Sequence, residues 1–342
     1  MVGWVLGAAI TTTLLIAGLV IIVFTLLGRY LVLLLFAHPA KDKPVPDRTG
    51  EVQRITRPDG TELNVEFYGP ANAQNVILTH GWTANSTDWY YVKRYLANHY
   101  RVIVWDLPGS SDSSLAHNGD YSLERLAADL EAVINLTQQP AILVGHSMGG
   151  MLTLNFCKLY PQHLGSKVNG LVLVDTTYLN PVKTAPASGL LSAIQKPILA
   201  PAMYLMIGLS PLVWLQNWLS YFNVMAHLQQ RFGSFCGSET RGQLERMTWL
   251  QTIVPPWVIG KQMLAMFRHN TTETLPRINV PTLIIVGDND RGCVPRASHY
   301  MQSQIPNAAL VTIQHSGHVS MMEQNEQVNA ALGAFVAQVA RN

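Results

Sequence analysis

Charge is scarce in this chain. Asp, Glu, Lys and Arg make up 13% of its 342 residues while the apolar set reaches 48%, and the mean hydropathy is +0.15. An ordinary soluble domain carries about 25% charged residues, so part of this chain is expected to meet lipid. The net charge of +2 comes without any basic cluster interleaved with aromatics, which speaks against a nucleic-acid partner. Three cysteines, Cys157, Cys236 and Cys293, stand too far apart for a disulfide framework or a metal site, and this fits a reducing or indifferent compartment. No His/Cys/Asp cluster has ligand spacing and no glycine-rich phosphate loop occurs, so neither a metal nor an organic cofactor is implied. Internal repeats and low-complexity tracts are missing too.

What is present begins with a long apolar run. From Val2 to Ala37 the only charged side chain is Arg29, and Leu14 to Leu27 is interrupted only by Gly18 and Thr25. About twenty such residues cross a bilayer as a helix, so residues 1–40 are expected to form a single-pass membrane anchor with an apolar extension beyond Arg29. A cleaved signal peptide fits less well: no Lys or Arg precedes the run, the run is long for one, and no clean cleavage site follows. Arg29, Lys41, Lys43 and Arg48 all follow the span, which favours a cytoplasmic catalytic bulk, although Asp42 and Asp47 dilute the bias and leave a periplasmic or lumenal side open. The sequons at Asn85, Asn135 and Asn270 would matter only in a secretory lumen.

Lys41 to Gly50, with Pro44 and Pro46, reads as a linker. Val52–Thr56 and Leu63–Tyr68 flank Pro58-Asp59-Gly60 as an antiparallel hairpin. Apolar strands at 76–79, 102–105, 141–144, 171–175, 282–286 and 310–313 then alternate with helices, among them 88–98, one capped by Ser122 and running to 137, and a closing helix at 326–339. That alternation predicts an α/β fold with a mostly parallel sheet covered by helices on both faces. Between Asp175 and Pro281 it stops for roughly a hundred residues, too many for an ordinary crossover. The stretch holds Trp214, Trp218, Trp249 and Trp257 and no charged residue from Pro197 to Gln230, and Pro197, Pro201 and Pro211 are expected to break it too often for a second span. It reads as a helical cap, either a lid that forms an acyl pocket and touches the membrane or a greasy face packed on the sheet. The domains are thus residues 1–40, a core at 41–178, a cap at 179–274 and the remaining core at 275–342.

The chemistry centres on Gly145-His146-Ser147-Met148-Gly149, between the apolar run Ala141–Val144 and a helix. A strand turning this sharply into a helix needs glycine at the flanks and lifts the central serine to the apex; a serine that merely caps the helix is the bland alternative. A serine hydroxyl needs a base, and the base needs an acid that fixes its tautomer. Downstream, one strand ends in Gly287-Asp288-Asn289-Asp290 and the next in His315-Ser316-Gly317-His318. Asp290 and His318 are the candidate acid and base, with Asp288, Asp175 and His315 as rivals that spacing alone leaves open. The developing oxyanion calls for two backbone N–H groups, for which Met148 and Trp82 are nominated; Gly81 lets the chain come close, and the Trp82 indole either lines the pocket or packs over the loop. His80, Gly81, His146, Trp214 and Trp218 complete the candidate substrate pocket.

His80-Gly81-Trp82, Asp106-Leu107-Pro108-Gly109, Gly145–Gly150, the Asp290 loop and Gly317-His318 occur in the order found in α/β-hydrolases with a single inserted cap, and residues 50–342 resemble that family. Ser111 departs from it, standing where many members carry a second glycine. The long N-terminal anchor makes the chain similar to membrane-bound monoacylglycerol lipases and related bacterial lipases. The resemblance implies a serine hydrolase working through an acyl-enzyme; epoxide hydrolases and haloalkane dehalogenases of this family need an aspartate where Ser147 stands. The anchor and greasy cap point to a small-molecule acyl ester of lipidic kind, with the membrane as a further partner. Amidase, thioesterase, C–C bond hydrolase and perhydrolase activities share the triad and stay open, and a non-catalytic membrane scaffold is the reading from another class.

Overall fold

The computed structural model describes residues 2–40 and 44–341. Lys41, Asp42 and Lys43, which entered the charge bias, lie outside the described residues.

Eight strands form one sheet: β1 (Glu51–Thr56), β2 (Glu62–Tyr68), β3 (Asn75–Thr79), β4 (Arg101–Trp105), β5 (Ala141–His146), β6 (Val168–Val174), β7 (Thr282–Gly287) and β8 (Ala308–Ile313). Their order is β1-β2-β4-β3-β5-β6-β7-β8, antiparallel at the β1-β2-β4 edge and parallel elsewhere. The expected mixed but mostly parallel architecture is therefore present. The central strands are apolar throughout because both faces are covered. Ile77, Ile103 and Leu143 face α3 (Leu123–Ile134) and α4 (Met148–Leu159), while Val76, Leu78, Ile142 and Val144 face α2 (Tyr90–Leu96) and the closing helix. Each such fully buried aliphatic side chain contributes roughly 1.5–3 kcal/mol. Ser122 caps α3 as expected, its Oγ accepting from Arg125 N at 3.2 Å.

The N-terminal helix, α1, covers Val2–Phe36. Its middle is exposed from Ile10 to Leu27, but Val32, Leu33 and Ala37 are buried against the inserted helices. Arg29, the one charge in the run, pairs with Glu245 at 3.4 Å and lies 4.8 Å from the Tyr221 ring. The segment that follows is more than a linker. Arg48 bonds Glu66 and lies 3.1 Å from Asp106 and 3.2 Å from Asp112, so a charge weighed above for membrane sidedness serves to pin the chain to the sheet. It also donates to Ser111 Oγ at 2.8 Å and holds Ser111 at a φ of 48°, the conformation a glycine would take more freely.

The insertion between β6 and β7 is helical. After a single helical turn at Pro181–Thr184, its longer helices are α5 (Ser188–Ile194), α6 (Ala200–Gly208), α7 (Ser210–Phe222), α8 (Met225–Gly233), α9 (Arg241–Ile253) and α10 (Pro256–Met266). The prolines do not break it as expected. Residues 188–208 form a continuous 21-residue helical run that is apolar enough to cross a membrane. Pro197 sits in a single π turn, Gln195–Leu199, that joins α5 to α6, Pro201 follows that turn directly, and Pro211 falls in the first turn of α7, where no intrahelical N–H is lost. After β7 come α11 (Pro295–Gln304), which the sequence reading passed over, and α12 (Asn325–Val339), the closing helix.

Candidate active site

The parallel strands carry the candidate groups on their C-terminal ends. β5 runs into α4 through Ser147, whose φ of 51° and ψ of −117° are rarely adopted by a residue with a side chain. The turn closes because its neighbours have none. A Cβ on Gly145 would stand 2.5 Å from Gly149 O, and one on Gly149 would stand 2.3 Å from Thr79 O. Ser147 N donates to Val174 O at 2.9 Å, and Thr176 Oγ1 donates to Ser147 O at 2.6 Å, so the apex is fixed from the β6 side.

His318 reaches the serine from the loop after β8. Its Nε2 lies 2.9 Å from Ser147 Oγ, and its Nδ1 lies 3.0 Å from each Asp290 oxygen. Asp290 Oδ1 also accepts from Gly292 N at 2.7 Å and Cys293 N at 2.8 Å, which fixes the carboxylate in that orientation. Burial disfavours a charged imidazole, but the Asp290 charge and hydrogen bond, with Asp175 behind them, outweigh it and hold the His318 proton well above the ordinary histidine range.

The rivals are occupied elsewhere. Asp288 accepts from His315 N at 3.1 Å and Ser316 N at 3.0 Å, tying the β7 and β8 loops together. The exposed His315 takes a φ of 55°. Asp175 accepts from Gly287 N at 2.9 Å and from Ser320 N and Oγ at 2.9 and 2.6 Å; burial, then the Asp290 charge, push its carboxyl up to about 7.

A cavity of about 300 Å³ opens beside Ser147 and His318. Met148 heads α4, so its N–H has no partner within the helix, and among the described residues the Trp82 N–H is likewise without a backbone partner. The Trp82 indole packs and lines at once: Nε1 donates to Ile259 O at 3.2 Å, and the residue lines both this cavity and a second of about 190 Å³. The second cavity has a mixed lining, with Met206, Val213 and Ile259 beside Gln216, Asn217 and Ser220.

The pocket expectations divide. His146 lines the cavity, and its Nε2 donates to His318 O at 2.9 Å. Burial, then the nearby His318 charge, lower its pKa to about 3, so it is neutral and acts on the His318 backbone. His80 does not line the cavity: its Nε2 accepts from Leu107 N at 3.0 Å and Nδ1 lies 2.9 Å from Gly81 O, which joins two loops. Gly81 faces the elbow itself, where a Cβ would stand 2.9 Å from His146 Nδ1 and 3.2 Å from Ser147 Cβ. Trp214 and Trp218 lie away from the cavity. Trp214 donates from Nε1 to Thr252 O at 2.8 Å, and Trp218 stacks on Phe222 at 6.2 Å. Sequence reasoning missed Asp88, Met247 and Gln251 on the cavity wall; a buried acid one residue before Trp89 was the signal within reach for the first.

Glu66, Asp106 and Asp112 bring carboxylate oxygens within 4.8 Å of one another. Arg48, bonded to all three, answers their charge, which suits a structural ion cluster.

Comparison with known proteins agrees with this fold. The family model described as alpha/beta hydrolase fold matches residues 74–324, and the chain belongs to that family. A pimeloyl-[acyl-carrier protein] methyl ester esterase from Xanthomonas axonopodis is 26% identical over 280 residues, 81% of this chain and 99% of its own. The structure of a thermophilic esterase from Thermogutta terrifontis superposes with a TM-score of 0.68 at 25% identity, covering 85% of this chain and 99% of that one. The crystal structure of a membrane phospholipase A, described as a bacterial virulence factor, matches over 100% of both chains with a TM-score of 0.68 at 21% identity, a likeness of fold that includes the N-terminal helix.

Proposed function

We propose that this alpha/beta hydrolase is a membrane-anchored serine esterase that cleaves lipidic acyl esters through an acyl-enzyme on Ser147. The observation that carries the reading is the unbroken line Ser147 Oγ, His318 Nε2, His318 Nδ1, Asp290 at 2.9 and 3.0 Å. His318 takes the hydroxyl proton as Ser147 Oγ adds to the ester carbonyl, and Asp290 stabilises the imidazolium. The N–H groups of Met148 and Trp82 hold the oxyanion. Collapse expels the alcohol with the proton from His318; water then adds to the acyl-enzyme by the same route and releases the acid. No step calls for a metal or organic cofactor.

Ester cleavage is supported by the similarity to the Xanthomonas and Thermogutta esterases. A lipidic acyl group is supported by the apolar side chains that line the cavity beside Ser147, among them Met151, Met247, Met263 and Met266. Membrane attachment is supported by the exposed run Ile10–Leu27, about 27 Å of helix, and by exposed Leu205, Leu212, Leu215 and Leu219 on the inserted helices. We read residues 1–40 as the anchor, 179–274 as the cap and the rest as the core.

The test is a substrate panel with purified full-length protein in detergent. Medium- and long-chain acylglycerols should be cleaved better than amides, thioesters and short water-soluble esters, and a fluorophosphonate should label Ser147. Cleavage of short esters alone overturns the lipidic reading, and absent labelling of folded protein overturns the enzyme reading in favour of a scaffold.

A further inference from the structure

Asp88 shares a cavity wall with Ser147 and His318, yet the mechanism above does not use it. Its side chain is 1% exposed, and neither carboxylate oxygen has a hydrogen-bond partner among the described residues. Burying a carboxyl without a partner forfeits its hydration, a cost folded proteins seldom carry without a reason. The backbone here is held firmly. Asn85 Oδ1 accepts from Thr87 N at 2.9 Å, Asp88 N donates to Asn85 O at 3.0 Å, and the buried Trp89 meets the His146 ring edge-on at 6.3 Å.

The chemistry of the surroundings selects the ligand. Arg246 makes no ion pair with Asp88; it donates to Thr87 Oγ1 and lies 4.6 Å from the Trp249 ring. Its positive charge still reaches Asp88, which works against a cationic ligand, and the carboxylate itself repels an anion. A neutral hydroxyl suits the site in either protonation state, because it donates to a carboxylate and accepts from a carboxylic acid. The same cavity also presents Met151, Met263 and Met266, so an acyl chain has apolar wall to lie against apart from Asp88.

Resting on the reading of Ser147 as an acyl-forming nucleophile, we propose that Asp88 is a specificity-determining residue. It hydrogen-bonds a free hydroxyl on the alcohol part of the ester, so that esters of polyols are preferred over esters of simple alcohols.

The experiment compares kcat/KM for glyceryl and ethyl esters of the same acid, once with octanoate and once with acetate, using full-length protein in detergent. The wild-type ratio should favour the glyceryl ester roughly 10- to 100-fold. Asp88→Leu should bring the ratio to about one, while Asp88→Asn, which can still donate and accept, should keep most of it. Fluorophosphonate labelling reports whether each variant retains an assembled site. A wild-type ratio of about one overturns the proposal, as does a labelled Asp88→Leu whose ratio stays within about twofold of wild type. A choline ester that outruns the glyceryl ester overturns it in favour of a cation site. If Asp88→Leu does not label, the wild-type and Asp88→Asn ratios decide. Failure of the lipidic reading is seen separately, as loss of octanoyl but not acetyl cleavage, and the hydroxyl preference is still read on the acetates.

Discussion

At the scale of single residues, the His318 imidazole must be neutral to accept the Ser147 proton, and Asp290 makes that proton harder to remove. Raising the pH therefore switches the base on, and kcat/KM should climb through a limb above the ordinary histidine value of about 6.5. Asp290→Asn removes the charge that holds the proton, so its residual activity should show the limb at lower pH; a limb that does not move would place the titration elsewhere. The same variant should cost roughly 10⁴-fold in kcat while leaving the thermal midpoint near wild type. Asp288→Asn should do the opposite, because Asp288 holds two loop N–H groups and does not touch His318. Ser147→Ala and His318→Ala should each cost as much as the double variant, roughly 10⁶-fold, because the members act as a unit; additive losses measured by steady-state kinetics would contradict a shared role.

At the scale of elements, the elbow depends on backbone approach more than on any side-chain contact. Gly149→Ala puts a methyl group 2.3 Å from a β3 carbonyl that cannot retreat without unpairing the sheet. Overpacking of this kind costs about 1–3 kcal/mol or more, so the thermal midpoint should fall and fluorophosphonate labelling should slow together; an unchanged labelling rate would mean that the turn yields easily. The strand ends were legible in the sequence for a related reason. Ile142, Leu143 and Val144 are buried on both faces, so their composition alone marks the strand, and the turn that follows has no room for a side chain at Gly145 or Gly149. The inserted helices obey no such constraint. Trp214 could face the cavity or the outside, and the choice depends on where Thr252 offers a carbonyl 38 positions later. Pro197 misled for a complementary reason, since a π turn absorbs a missing N–H that a regular helix would not. His80 stands beside Gly81-Trp82 in sequence, but its ring turns toward Leu107 on a loop that only the folded sheet brings near.

At the scale of the whole molecule, two apolar surfaces lie outside the sheet core: the exposed part of α1 and the outer side of α5 to α7. If both meet lipid, Leu205→Glu combined with Leu212→Glu should reduce hydrolysis of long-chain esters presented in vesicles roughly tenfold and leave a soluble short ester untouched, since both side chains are more than 60% exposed and far from the chemistry. Equal rates on vesicles would leave attachment to α1 alone. The long apolar helix at the N-terminus was legible in the sequence as composition, because thinly charged apolar runs announce themselves. The way α1 ends was not legible, since Arg29 has its partner at Glu245, more than two hundred residues on.

That last pairing has a mechanical corollary. Phe36 O and Leu33 O receive hydrogen bonds from Arg231 and Arg241, so the foot of α1 is stitched to the roof over the cavity and not to the floor that carries the nucleophile. A tilt of the first helix would therefore reach the roof through these two contacts before it reached the serine.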